Sequence, residues 1–436
     1  MALLFRNATV LTMTDPAEGR TFVANIGVEG SRIVMIDPKG EGSRTAEFVA
    51  RCADSLTEID ATDRILMPGL INLHTHVAMT LMRSYADDIP LMAWLGDHIW
   101  PFEAKLTADD IALGARLGIA EMLEGGTTTF ADMYWDEGAV ARVAAQMGIR
   151  AVVSPCFVDP RMEAFERDIV DCTEFARECD TVSVCVAPHA PYSCSLENLR
   201  RGVEVCRELN LPVHVHLAET DDEIAFVREK YGMTPIEFFD SLGYFDFRTI
   251  AAHCVKLTDR DIDILRDKQV SVVHNPQSNM KLSSGIAPVW ELMQRGVNVT
   301  LGTDGTCSNN DLDMWDEMRT AAFLQKVAGT NPTVLPAYQA LRMATALAGQ
   351  ALGMAGELGV IAEGALADII LIDTSRPHLH PMNDTVSTLV YCGKASDVEM
   401  VVVNGRIVVD GGRVSGLDYP TLYTEVDRRI SAIKNR

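Results

Sequence analysis

Ile65-Leu66-Met67-Pro68-Gly69-Leu70-Ile71-Asn72-Leu73 is a near-continuous apolar run that ends on His74-Thr75-His76. It is apolar at successive rather than alternate residues. That pattern reads as a strand buried on both faces, as in a parallel sheet covered by helices. Similar runs follow at Thr127–Met133, Arg150–Phe157, Val182–Pro188, Pro212–Leu217, Thr249–Val255, Val270–His274 and Val297–Thr303. Between them lie segments of helical period, among them Asp109–Glu124, Leu196–Leu209, Asp259–Asp267 and Val289–Arg295. Eight strand–helix units predict an α/β fold of the (β/α)8 TIM-barrel type over residues 64–360. A doubly wound open sheet is the rival, but no Gly-x-Gly-x-x-Gly or phosphate loop follows any run.

Outward from this core the character changes. Leu3–Thr12, Phe22–Val28 and Ile33–Ile36 are strand-like, with turns expected at Glu29-Gly30 and Gly40–Gly42. The same character returns at Ala367–Ile372 and Met400–Val409, the latter a hairpin turning at Asn404-Gly405. Residues 1–63 and 361–436 are therefore expected to build one small β-sandwich from both ends of the chain.

Composition narrows the function classes. With 436 residues, 47% of them hydrophobic and 23% charged, the chain has the make-up of a globular protein with a large core. Thirty-eight basic against 61 acidic residues give a net charge of −23, which repels phosphate backbones and acidic lipid surfaces. A nucleic-acid polymer is thus not expected as a partner, whereas a nucleoside carries no phosphate. No membrane span or signal peptide is read: the chain starts Met1-Ala2-Leu3-Leu4-Phe5-Arg6-Asn7, without a basic segment before a long apolar one. Ten cysteines occur without a Cys-x-x-Cys pair, and Cys156, Cys185 and Cys254 lie in apolar runs. They read as buried thiols in a reducing compartment, the cytoplasm by default.

A barrel carries its chemistry at the C-terminal ends of its strands. The polar residues there are His74 and His76, Asp132, His189, His216, His253, His274 and Asp304. Counting His214, seven of the ten histidines lie in or just beyond these runs. One histidine at a strand end is usually a hydrogen-bonded structural residue; several converging on one barrel mouth point to a metal. His74 and His76, two apart on a strand, leave the same face. His216 adds a third nitrogen and Asp304 an anionic oxygen, a set suited to one divalent ion, most simply Zn²⁺, with Fe²⁺ or Mn²⁺ as alternatives. His214-Val215-His216 is a second His-x-His, and His216 is preferred because it lies nearer the strand end. Glu219, three residues on, is placed to accept a proton from water and pass it to a leaving group. His253 is expected to polarise the attacked atom or orient that water. His274 is expected to shape a loop, and His98, His378 and His380 lie away from strand ends.

With His74-Thr75-His76, His216-Leu217-Ala218-Glu219, Ala252-His253-Cys254 and Gly302-Thr303-Asp304-Gly305, the chain resembles the amidohydrolase superfamily. Within it the chain is most similar to the 5′-methylthioadenosine/S-adenosylhomocysteine deaminases, over nearly its whole length. The most specific stretch runs from His74 through Met82-Arg83-Ser84-Tyr85-Ala86-Asp87-Asp88 to Trp100-Pro101-Phe102-Glu103. Ser278-Asn279-Met280-Lys281-Leu282 and Ser308–Met314 add to it. The resemblance implies hydrolytic deamination of the adenine 6-amino group of 5′-methylthioadenosine, S-adenosylhomocysteine or adenosine, giving the inosine analogue and ammonia. It implies one metal held by His74, His76, His216 and Asp304, with Glu219 as the acid/base that also contacts the purine. His253 and Asp304 would hold the attacking water, Glu103 the ribose hydroxyls, and His189 would contact substrate. The loop after the third run lacks the arginines that meet a homocysteine carboxylate in some members, the nearest being Arg161. This favours methylthioadenosine or adenosine over S-adenosylhomocysteine.

Other readings are an aminohydrolase or chlorohydrolase of another ring (guanine, pterin, triazine), a non-catalytic scaffold barrel, and a sugar-phosphate barrel. A scaffold has no use for four ligands and an acid, and a sugar-phosphate site would want a lysine or glycine loop where Asp304 stands. The cytidine-deaminase type of site is excluded, since neither His-x-Glu nor Pro-Cys-x-x-Cys occurs. Barrels of this kind often self-associate, so a homo-oligomer is the remaining partner expectation.

Overall fold

The apolar run Ile65–Leu73 divides at Gly69. Arg64–Pro68 pairs antiparallel with Ile369–Asp373 and parallel with Ala2–Leu11, while Leu70–Thr75 pairs parallel with Thr127–Tyr134. A single run therefore supplies two strands in two different sheets, and the terminal sheet extends past the expected edge at residue 63. The structure is a computed structural model that describes residues 2–15, 17–38 and 42–436. Part of the turn expected at Gly40–Gly42 falls outside the described residues.

The terminal strands form one hydrogen-bonded sheet of nine strands. Its core joins residues from both ends of the chain, among them Phe5, Val10, Ile26, Leu66, Ile369 and Val402. The expected hairpin is present: Val398–Val403 and Arg406–Asp410 flank Asn404 at φ 51° and Gly405 at φ 74°. Two consecutive positive φ values are what a type I′ turn requires, and Asn-Gly is the pair that adopts them most readily.

Eight parallel units make the barrel, in two hydrogen-bonded halves. Leu70–Thr75, Thr127–Tyr134, Arg150–Phe157 and a broken fourth strand (Val182–Val184, Ala187–Pro188) form one half. Val213–Leu217, Thr249–His253, Ser271–His274 and Val299–Leu301 form the other. Val186 bridges Val213 on one seam, and on the other the Asp304 N–H donates to the His74 carbonyl at 2.9 Å. Gly302 allows this second approach, since a Cβ there would lie 2.7 Å from the His74 nitrogen. Thr127–Tyr134 and Arg150–Phe157 are buried at every residue, the consequence of helices outside and packed side chains within. The helices lie where their periodicity puts them. Ala108–Glu124 starts on a capping box between Thr107 and Asp110, and Leu196–Leu209 on a Ser195 cap. Among the described residues no helix is long and apolar enough to cross a membrane. All ten cysteines are free thiols, eight of them buried, with Cys179 partly buried and Cys392 exposed.

Barrel and terminal sheet are joined by a buried ion pair. The Arg150 guanidinium, at the start of the third barrel strand, donates to both oxygens of Asp368 at 2.9 and 3.2 Å. Asp368 also accepts from the Asn404 N–H at 2.8 Å, fixing the hairpin. Removing one partner strands the other charge, which costs about 3–5 kcal/mol in a buried pair. Asp368→Ala should accordingly lower the urea midpoint of unfolding sharply, whereas truncating the exposed pair of Arg20 and Glu18 should leave it within error.

Candidate active site

Strand alternation and layering build the site. His74 and His76 project from one face of the first strand, and His214 and His216 from one face of the fifth. Each ring is oriented from behind. His76 Nδ1 lies 2.5 Å from the Met133 carbonyl and His216 Nδ1 lies 2.8 Å from the His189 carbonyl, so both rings donate there and turn Nε2 inward. His74 Nδ1 is 2.9 Å from His214 Nε2, and His214 Nδ1 is 3.1 Å from the Ser154 hydroxyl. His214 thus sits one layer deeper and orients His74. Nothing in the sequence beyond its alternation with His216 signals this role.

Asp304 closes the group from the eighth strand. Its Oδ1 lies 3.4 Å from His74 Nε2 and 3.2 Å from His76 Nε2, and His76 and His216 Nε2 atoms are 3.4 Å apart. Its Oδ2 accepts from the Ser278 and Ser308 hydroxyls at 2.6 and 2.9 Å, and Oδ1 from the Gly305 N–H at 2.8 Å. These two serines lie in the stretches quoted for the resemblance, where they carry no assigned role.

The donor set fits a metal ion. His74 Nε2 is fully buried and has no hydrogen-bond partner, an arrangement costly for an imidazole unless a cation completes it. The ligand atoms of His74, His76 and His216 all lie within 4.8 Å of one another, as do those of His74, His253 and Asp304. Tetrahedral bonds of about 2.0–2.1 Å place neighbouring donors about 3.3–3.4 Å apart, the spacing seen here. Burial lowers His74 to about 4 and holds His216 well below its ordinary value, keeping both neutral as ligands must be. His76 is also desolvated, but Asp304 outweighs that and draws it up to about 9. Burial pushes the Asp304 carboxyl up, yet His74 and His76 hold it well below the usual carboxylate range.

Glu219 and His253 flank this cluster. Glu219 Oε2 faces His253 Nε2 at 3.9 Å, and its Oε1 accepts from the Ser284 hydroxyl at 3.1 Å. His253 Nδ1 is 2.9 Å from Asn279 Oδ1, which fixes its ring. The sixth strand ends at His253, short of Val255, because His253 and Cys254 adopt φ of 73° and 47°. Ala218 and Asp304, at 52° and 64°, share this left-handed conformation, so backbone strain gathers at the functional strand ends. Asp132 stays outside the cluster; its Oδ1 accepts from the Val77 N–H at 2.6 Å, and burial raises its carboxyl to about 7. His274 is buried among the core strands with both ring nitrogens unpartnered. His98 packs edge-on to Tyr85, and His378 pairs with Asp397 at 2.8 Å, away from the site.

A cavity opens over these groups, lined by His76, His189, His216, Glu219, His253 and Asp304. Glu103 faces it too, beside Trp100, Tyr134 and Trp135. Glu103 is buried, and desolvation raises its carboxyl against the opposing pull of Tyr134 and His76. His189 Nδ1 is 2.8 Å from the Ser193 hydroxyl, and burial lowers its ring to about 3. Arg161 stacks its guanidinium 4.6 Å from the Trp135 ring centroid. It lines an adjoining hollow that shares Trp100, Glu103 and Trp135 with the main cavity.

The sequence profile of the amidohydrolase family matches residues 65–408, most of the chain and every group just described. The chain belongs to the amidohydrolase family. It is 42% identical to a 5-methylthioadenosine/S-adenosylhomocysteine deaminase of Pelotomaculum thermopropionicum, covering 100% of this chain and 99% of that one. It is 46% identical to a 5′-deoxyadenosine deaminase of Methanothermobacter thermautotrophicus, over 84% of this chain and 86% of the relative. Among solved structures, an adenosine deaminase from Xanthomonas campestris with bound zinc superposes with a TM-score of 0.92 at 34% identity, covering 100% and 99% of the two chains. As an amidohydrolase the chain thus has full-length deaminase relatives, and its TIM-barrel fold is shared with a zinc-bound one.

Proposed function

We propose that this amidohydrolase removes the 6-amino group of adenine nucleosides by hydrolysis, leaving the inosine analogue and ammonia. The observation that carries the reading is one cavity lined at once by His76, His216 and Asp304 of the donor set, by Glu219 and, beside aromatic rings, by Glu103. His74, His76, His216 and Asp304 would hold one divalent ion, most simply Zn²⁺, which when bound supplies a Lewis acid that acidifies water. Glu219 takes the proton from the attacking water and delivers it to the purine as the C–N bond breaks. His253 and Asp304 hold that water, Glu103 takes the ribose hydroxyls, and His189 borders the nucleoside. The buried floor of the site, where His74, Glu219, His253 and Asp304 lie, lowers the local dielectric, which strengthens these interactions.

Arg161 bears on the 5′ substituent. Its guanidinium sits beside the Glu103 end of the cavity, so a 5′ group ending in a carboxylate finds a cation there. S-adenosylhomocysteine therefore stands beside methylthioadenosine and 5′-deoxy or free adenosine as a substrate, although the third-strand loop carries no arginine before Arg161. The catalytic unit is the barrel from Leu70 to about residue 360, with Arg64–Pro68 belonging to the terminal sheet, and the compartment is the cytoplasm. Ultraviolet spectra on a panel of these nucleosides, guanine, a pterin and a triazine test the proposal. Conversion of the adenine nucleosides with the spectral shift of inosine formation is expected. Turnover of another ring alone would overturn it.

A further inference from the structure

Glu223 is a buried carboxylate that none of these roles uses. It is the third residue of the helix Asp221–Tyr231, and its N–H donates to the capping Thr220 hydroxyl at 3.3 Å. In a capping box the acid at this position reaches back to the cap residue's own N–H. Glu223 reaches further. Its Oε1 accepts from the Ala218 N–H at 2.8 Å and its Oε2 from the Glu219 N–H at 2.9 Å. Both oxygens are thus spent on the turn between the fifth strand and the helix, at the one alanine there with φ 52°. A non-glycine residue holds that conformation only where its surroundings over-determine it, and two consecutive N–H groups bound to one carboxylate do so.

The far end of Glu219 is held as well. Ser284, buried in the loop after the helix Pro276–Lys281, donates its hydroxyl to Glu219 Oε1 at 3.1 Å. The hydrogen bond occupies Oε1 as an acceptor, so the transferable proton rides on Oε2, the oxygen facing His253. We propose that Glu223 and Ser284 are positioning residues forming a two-point clamp that aims Glu219, one gripping its backbone and the other its carboxylate. Neither touches substrate. The inference rests on the reading of Glu219 as the acid/base and adds the groups that make it one.

The test is a double-mutant cycle on metal-loaded full-length enzyme, comparing Glu223→Gln, Ser284→Ala and Glu219→Gln singly and each of the first two combined with the third. Glutamine can accept one N–H but opposes the other with its own amide. The two clamp variants should lose about 10–100-fold in kcat, the size of loss seen when groups that orient metal ligands are removed, with KM and metal content little changed. On the Glu219→Gln background the same substitutions should cost less than about threefold, since the group they aim is already gone. A crystal structure of Glu223→Gln should show the Glu219 carboxylate displaced from Ser284. Losses that multiply in the double variants, or wild-type kcat in the singles, would overturn the clamp. If Glu223→Gln does not fold, Ser284→Ala and its double variant decide the matter. Undiminished turnover in Glu219→Gln itself overturns the acid/base reading, a separate outcome from additive losses.

Discussion

Glu219→Gln is expected to lower kcat on an adenine nucleoside by about 10²–10⁴-fold while the protein keeps its metal and its fold. The substitution is nearly isosteric. It preserves the backbone N–H that Glu223 accepts and keeps an acceptor for the Ser284 hydroxyl, so the turn has no reason to move. What is lost is the capacity to take a proton from water and give it to the departing amine. Glu219 is buried and faces His253 Nε2 at 3.9 Å, and among the described residues no other carboxylate lining the cavity adjoins both His253 and the donor set except Asp304, which is occupied by two serines and two imidazoles. Nothing stands ready to substitute. Steady-state kinetics with parallel elemental analysis check this: near-normal turnover with metal retained would remove Glu219 from the mechanism.

Asp304→Asn should have the second large effect, and through a different route. The amide keeps the shape of the side chain and an oxygen to accept from Ser278 or Ser308, but it removes the only negative charge among the four proposed ligands. The charge matters because the other three donors would all be neutral imidazoles once they bind the ion in this buried site. Metal content per chain should fall, and turnover with it by more than the roughly 10–100-fold typical of losing a group that merely orients a ligand. Added divalent salt should restore part of the activity. A variant with full metal occupancy and unchanged kcat would show that Asp304 is not a ligand.

The groups the sequence reveals are those whose position depends on the strand alone. His74, His76, His216 and Asp304 end apolar runs, and in a parallel barrel the run fixes both the end and the face from which each side chain leaves. The split of Ile65–Leu73 at Gly69 is hidden because both halves are equally apolar; which sheet claims each half depends on partners some 60 and 300 residues away, Thr127–Tyr134 and Ile369–Asp373. His214 is visible as a residue but not as a support for His74, since that contact spans 140 positions. Ser284 and Glu223 are hidden for opposite reasons. Ser284 reaches Glu219 only through tertiary folding, whereas Glu223 is four residues from Glu219 and looks like an ordinary acid in the first turn of a helix. Arg161 shows the same limit: its place in the chain says nothing of the hollow it shares with Glu103.

The central claim is that three imidazoles and one carboxylate from the first, fifth and eighth strands converge on a single divalent ion. Anomalous diffraction at the zinc edge, on crystals of the metal-loaded protein, tests it most directly. One peak is expected, within about 2.0–2.2 Å of the Nε2 atoms of His74, His76 and His216 and of an Asp304 oxygen. No peak there, or a peak bound by other side chains, would contradict the account.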